Sequence, residues 1–271
     1  MSPLPHSRVP IAACDFVGYG VVITGAGDGM GAAAARRFAQ AGASVVVSDI
    51  NAGKAAQVAR EIVDSGGRAL SAICDVVDAS QCVRLVEQAE RFFESPVDVF
   101  LANAGVSFAG DFLLADPAQL RRVIDVNLMG SIYSAHAALP SLIRSVRASL
   151  IFTNSLSGIT ARGKRSVYNA SKHAITGLVK SLALEFGPAG VRVNAIAPGP
   201  TNTPFLRAHL AKVSDDVEAA LVQALNVLPL GRLVEPDDFA NAAIFLASPA
   251  ARAITGHTLS VDSGAAAGRM A

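Results

Sequence analysis

The chain has 271 residues, 51% of them hydrophobic and 17% charged, with a formal net charge of +1. That near-neutral balance excludes the electrostatic footprint of a nucleic-acid or anionic-membrane binder, and no uncharged apolar run reaches the roughly 18 residues of a membrane span. The length suits one large α/β domain. Residues 1–16, interrupted by Pro10 and Asp15, read as a flexible N-terminal extension without a secretory signal, and 17–271 as a single domain. Cys14, Cys74 and Cys82 are odd in number and lack Cys-x-x-Cys spacing, so a disulfide framework is not expected and a reducing cytoplasm is the natural setting. No His-Glu-x-x-His or clustered Cys/His set marks a metal site.

In chain order, Val21–Thr24 is a β-branched run that ends in a glycine-rich turn, Gly25 to Gly31. A helix over Ala32–Ala41 and a buried strand over Ser44–Ser48 follow. Then come a helix at Ala52–Ser65, a strand at Ala69–Cys74, a helix at Ala79–Phe93 and a strand at Val97–Leu101. One long helix is expected over Pro117–Arg144, with a strand at Leu150–Asn154 after it. A helix from about Ser166 to Phe186 precedes a strand at Val191–Ala197. Gly199–Leu230 reads as a long irregular stretch, and so as a lid or binding segment. A helix at Pro236–Leu246 and a strand at Thr258–Val261 complete the alternation. Strands that are apolar without polar alternation belong to a parallel sheet covered on both faces. The expectation is a doubly wound α/β fold of about seven parallel strands with helices on both faces.

Three local patterns carry chemistry. The run Thr24-Gly25-Ala26-Gly27-Asp28-Gly29-Met30-Gly31 departs from strict Gly-x-Gly-x-x-Gly, because the third position is Met30. The physical need is the same: a sharp turn into a helix whose first N–H groups face a pyrophosphate, with no side chains in the way. Asp49 ends the second strand 20 residues after Gly29, where a carboxylate would accept the adenosine ribose hydroxyls and repel a 2′-phosphate. With no Lys or Arg in the turn, this favours NAD over NADP, although Asp49 could also cap the next helix. Third, Tyr168 and Lys172 lie four apart and share a helix face. An ammonium there favours the phenolate, so the pair predicts a tyrosine that titrates closer to neutrality and can exchange protons.

Further motifs stand in order along the chain. They are Asp75-Val76, Asn103-Ala104-Gly105, Asn127 in the long helix, and Ser155, which precedes Tyr168 by 13 residues. Pro198-Gly199 with Thr203, and Val261-Asp262-Ser263-Gly264, follow. With the Thr24-Gly25-x-x-x-Gly29-x-Gly31 turn, these make the chain resemble the short-chain dehydrogenase/reductase family from about Tyr19 to Gly264. Ala102, where an asparagine is usual, and Ser263, where a glycine is common, are mild departures.

The resemblance implies a Rossmann-like fold and the catalytic set Asn127, Ser155, Tyr168 and Lys172. It implies NAD held by Thr24, Gly25, Asp28, Gly29, Met30, Gly31, Asp49, Ile50, Asp75, Val76, Asn103, Ala104, Gly105, Tyr168, Lys172, Pro198, Gly199 and Thr203. In that scheme Tyr168 takes the hydroxyl proton of a secondary alcohol, or returns it to a ketone. Lys172 lowers the tyrosine pKa and binds the nicotinamide ribose, Ser155 holds the reacting oxygen, and Asn127 positions a water that relays protons to Lys172. Read alone, Asn127 is a structural side chain bonding backbone. Ser157 is a weaker neighbour of the substrate, and His173, about 100° away from Lys172, reads as packing or interface. Arg162, Lys164 and Arg165 are either a solvated loop or a guide for an anionic substrate. The alternatives are an NADPH-dependent 3-oxoacyl thioester reductase and a catalytically idle scaffold. A homotetramer is expected, because the helices near Pro117–Arg144 and Ser166–Phe186 carry small or apolar residues, such as Ala135, Ala138, Ala174 and Leu178, around more than one face.

Overall fold

The computed structural model describes residues 15–211, 216–226 and 228–268. Most of the expected N-terminal extension, Cys14 included, lies outside the described residues, as does part of the expected lid. Seven strands form one sheet: β1 (Gly20–Thr24), β2 (Ser44–Asp49), β3 (Arg68–Ile73), β4 (Val99–Ala102), β5 (Ser149–Thr153), β6 (Arg192–Pro198) and β7 (Thr258–Val261). Their order is β3-β2-β1-β4-β5-β6-β7, and every pairing is parallel. The chain winds outward from β1 to β3, then crosses back to lay β4 on the other side of β1. At such a reversal the helices leave in opposite directions and open a crevice beyond the strands' carboxyl ends.

Strand alternation explains why both faces are apolar. Val21 and Ile23 of β1 enter one core with Val99 and Leu101 of β4, under α1 (Gly29–Gln40) and α9 (Pro236–Ala247). Val22, Phe100 and Ala102 enter the opposite core, under α3 (Ala79–Phe93), α5 (Gly130–Leu142) and α6 (Ser166–Phe186). The alanines of α1, Ala32 to Ala35, are all buried, which lets that helix lie close on the sheet and on α9. The second helix, α2 (Ala52–Asp64), starts at Asn51, whose side chain accepts the Lys54 N–H at 3.1 Å. No helix among the described residues is long and apolar enough to cross a membrane.

Two expectations are corrected. The helix expected as one piece over Pro117–Arg144 is α4 (Pro117–Ile124), a widened π turn at Asp125–Met129, and then α5. The extra residue in that turn re-aims Asn127, whose amide is bonded to a neighbouring loop instead of pointing along the helix face. Nor is Gly199–Leu230 irregular throughout. It carries α7 (Pro204–Leu210) and α8 (Val217–Asn226), linked by Arg207 and Glu218 at 2.8 Å. The signal for α8 was in the sequence: Asp216 accepts the Ala219 N–H at 2.9 Å, and Val217, Leu221 and Leu225 recur every four residues. A third point concerns association. Ala135 and Ala138 are buried in the chain's own core, so they offer nothing to a partner. Exposed apolar side chains among the described residues include Phe112, Leu113 and Leu114 ahead of α4, Ile143 and Val146 after α5, and Leu184 in α6.

Candidate active site

A cavity of about 940 Å³ opens beyond the carboxyl ends of β1, β2, β4, β5 and β6. The turn after β1 forms its floor. Asp28 caps α1, its carboxylate accepting the Gly29 N–H at 2.7 Å. The N–H groups of Met30 and Gly31 in the first helical turn have no partner within the helix, as at any helix start. Gly25 adopts φ +61°, and a Cβ there would stand 2.8 Å from the Ala104 backbone. A Cβ at Gly31 would lie 2.3 Å from the Gly25 carbonyl oxygen, so the turn closes only on glycine. From Gly29, a side chain would project toward Thr203, 3.4 Å from the Cβ position, into the gap between the turn and the segment after β6. These glycines form a narrow cradle lined by backbone, which suits a pyrophosphate.

Asp49 does not cap α2; Asn51 does. Its Oδ2 accepts the Gly27 N–H at 3.0 Å and its Oδ1 the Asn51 N–H at 2.8 Å. The carboxylate is thereby fixed at the cavity wall with lone pairs to spare for a diol. One residue escaped the sequence reading. Lys54, in the first turn of α2, folds back so that its Nζ lies 2.7 Å from Asp28 Oδ2. This pairing holds the Asp28 carboxyl below its ordinary range and neutralises a negative charge that would repel a phosphate. The turn itself carries no cation; the fold supplies one from the next helix.

At the other end, Ser155, Tyr168 and Lys172 line the same cavity. Lys172 and Tyr168 are buried on one face of α6, with the Lys172 Nζ 5.9 Å from the phenol ring centre. The ammonium donates to the Thr153 carbonyl at 2.7 Å, and burial pulls its pKa down to about 8. The expected shift of the tyrosine is corrected in part. Burial raises the Tyr168 pKa; the influences that lower it are a hydrogen bond from Ser155 and the charge of Arg165, whose guanidinium carbon is 6.0 Å from the ring centre. The Ser155 Oγ also accepts the Ser157 N–H at 3.1 Å, and the Ser155 N–H donates to the Asn154 side chain at 2.9 Å.

Two expected residues stand behind the wall. The Thr24 hydroxyl accepts the N–H groups of Asn103 at 3.1 Å and Ala104 at 3.2 Å, which ties β1 to the loop after β4. Asn127, fully buried, accepts the Val106 N–H at 2.8 Å and donates to the Val106 carbonyl at 3.0 Å and the Ser171 hydroxyl at 3.2 Å. Its structural reading holds. All the other expected residues line the cavity: Gly25, Asp28, Gly29, Met30, Gly31, Asp49, Ile50, Asp75, Val76, Asn103, Ala104, Gly105, Pro198, Gly199 and Thr203, with Ser155, Tyr168 and Lys172. Asn103 links the two ends. Its amide donates to the carbonyls of Thr24 and Gly25, and its oxygen accepts the hydroxyl of Thr153, whose own carbonyl holds Lys172. His173 is exposed, with one ring nitrogen 2.9 Å from the Asn169 carbonyl, and does not line the cavity.

The family model described as enoyl-(acyl carrier protein) reductase matches residues 25–266. Among characterised relatives, the cis-4-hydroxycyclohexanecarboxylate dehydrogenase of Sinomonas cyclohexanicum is 37% identical over 244 residues, covering 90% of this chain and 94% of that one. The 2,5-dichloro-2,5-cyclohexadiene-1,4-diol dehydrogenase of Sphingobium indicum is 38% identical over 249 residues, covering 92% and 96%. Among solved structures, levodione reductase superposes with a TM-score of 0.90 at 28% identity, over 93% of this chain and 99% of that one.

Proposed function

The chain belongs to the short-chain dehydrogenase/reductase family, a family of nicotinamide-dependent oxidoreductases, and from that premise we propose that it oxidises a cyclic secondary alcohol to the ketone with NAD. The observation that carries the reading is the convergence of Ser155, Tyr168 and Lys172 on the cavity that also holds the glycine turn and Asp49. Bound NAD would supply the hydride acceptor at that site. The protein supplies proton transfer and position. Ser155 hydrogen-bonds the alcohol oxygen beside the phenol, and Tyr168 accepts the hydroxyl proton. Lys172, still mostly protonated at pH 7 given a pKa of about 8, favours the phenolate as the proton leaves and would hold the ribose next to the nicotinamide. Asn127 fixes the Val106 segment beside Lys172, on the side where a proton path to solvent would run.

Support for a ring-bearing substrate comes from the two relatives named above, both acting on six-membered ring alcohols. NAD is favoured over NADP because a 2′-phosphate would meet the fixed Asp49 carboxylate. The same carboxylate opposes an NADPH-dependent 3-oxoacyl thioester reductase. The reading extends to a homotetramer assembled partly through the apolar residues Phe112 to Leu114, and to the cytoplasm, which suits the free thiols of Cys74 and Cys82. The test is a panel of cyclohexanols and cyclohexanones, each with NAD(H) and NADP(H), followed by the absorbance of the reduced nicotinamide. Turnover of acyl thioesters but of no ring alcohol or ketone would overturn it.

A further inference from the structure

We infer that Lys54 is a latent receiver for a 2′-phosphate, and that Asp28, by holding its ammonium, is a second determinant of cofactor choice beside Asp49. The inference deepens the proposed reading of this end of the cavity as the adenosine ribose site, and rests on it.

The local geometry starts from Asp49. Its Oδ1 accepts the Asn51 N–H at 2.8 Å, and the Asn51 side chain in turn accepts the Lys54 N–H at 3.1 Å. The start of α2 is therefore fixed by the same carboxylate that would read the ribose diol. Gly27 brings the glycine turn against both. A Cβ there would stand 2.7 Å from the Lys54 Cβ and 2.9 Å from Asp49 Oδ2, so the lysine stem and the carboxylate meet at one point of the turn. From that point the stem runs to Asp28, whose Oδ2 lies 2.7 Å from the Lys54 Nζ. The ammonium feels both carboxylates: its hydrogen bond to Asp28 and the charge of Asp28 raise its pKa most, and the charge of Asp49 adds to them.

This pair can change partners. About half of each side chain is exposed, and an ion pair so open to water is weak. Arg36, whose charge also acts on Asp28, is committed elsewhere, its Nε donating to Glu61 at 2.9 Å. A phosphate on a ribose hydroxyl held by Asp49 would stand beside the Lys54 stem and carry more negative charge than one carboxylate. While Asp28 holds the ammonium, that phosphate meets two carboxylates and must also break an ion pair. Preference for NAD then has two sources, repulsion by Asp49 and sequestration of Lys54 by Asp28. The second is separable from the capping of α1, because asparagine caps a helix as well as aspartate does.

Calorimetric titration of the cofactor-free protein with 5′-AMP and with adenosine 2′,5′-bisphosphate isolates the 2′-phosphate. Wild type should bind the bisphosphate more weakly than 5′-AMP. Asp28→Asn should shift the ratio toward the bisphosphate by about threefold to fivefold, the scale of one exposed ion pair. Adding Lys54→Met should remove that shift, adding Lys54→Arg should keep it, and raising the salt concentration should shrink it. Asp64→Asn, the same loss of charge at the far end of α2, should leave the ratio unchanged. A ratio unmoved by Asp28→Asn, or a shift that persists once Lys54→Met is added, would overturn the inference and leave the nucleotide site in place. A wild type that prefers the bisphosphate would overturn it too, since Lys54 would not then be withheld. Binding of neither nucleotide would refute the ribose-site reading itself, and the inference with it.

Discussion

Replacing Lys172 with methionine should make the cofactor-free protein more stable while abolishing its activity. The ammonium is buried, and its pKa falls from 10.5 to about 8 through desolvation. That difference corresponds to a penalty of about 3 kcal/mol for holding the charged form inside the fold. Methionine fills a similar space without charge but leaves the Thr153 carbonyl without its donor, a loss of about 1 kcal/mol. A net gain of about 2 kcal/mol is expected near pH 7. The sign follows from proton binding. Below pH 8 both folded and unfolded lysine are protonated, and the penalty is present in full. Between about 8 and 10.5 the unfolded chain binds more protons than the folded one, so wild-type stability rises with pH and the variant's advantage shrinks. Urea unfolding of both proteins near pH 7 and near pH 10, compared as a difference so that other titrating groups cancel, measures this. A variant less stable than wild type near pH 7, or a gap that does not change with pH, would refute the reasoning.

Tyr168→Phe should lower kcat by at least about a hundredfold, the usual scale of general acid–base catalysis, with cofactor binding by calorimetry nearly unchanged; activity within threefold of wild type would remove Tyr168 from its role. Arg165→Gln should move the rise of alcohol oxidation with pH to higher pH, because it removes a charge that lowers the Tyr168 pKa and oxidation needs the phenolate; an unchanged pH–rate profile would count against that electrostatic link. Wild type should bind NADH more tightly than NADPH, and Asp49→Ala should narrow the difference mainly by weakening NADH; tighter NADPH binding by wild type would reverse the cofactor assignment. Light scattering at micromolar concentration should give about four times the 27.8 kDa chain mass, and a monomer mass would end the proposal of a tetramer.

What was legible in the sequence was what periodicity and local spacing encode. The β-branched runs of β1, β2 and β5 could be read as buried strands because nothing polar alternates in them. Tyr168 and Lys172 could be placed together because a helix repeats every 3.6 residues. The break in the long helix at Asn127 was not legible, because nothing local forbids regular helix there; the widened turn coincides with a tertiary bond to the Val106 backbone. The helix α8 was legible and was missed, its cap and spacing hidden within a stretch rich in turn residues.

The electrostatics of the site was the least legible part, since it depends on pairs far apart in sequence. Lys54 looks like one charge among several on an exposed helix until the fold lays α2 beside the glycine turn and the ammonium meets Asp28. The cavity's cofactor end is then less negative than Asp28, Asp49 and Asp75 suggest when counted alone. Asp49 is left as the carboxylate anchored by two backbone N–H groups, which is what supports the proposal that it reads the adenosine ribose. Lys172 illustrates the same point from the other direction. Spacing on a helix predicts only a cation near the phenol, whereas burial makes that cation expensive and brings it within about one pH unit of neutral pH. A buried lysine held by a single backbone carbonyl is poor design for stability and good design for a site that must pass a proton. The cost of keeping it supports the proposal that this face of α6 takes part in proton transfer.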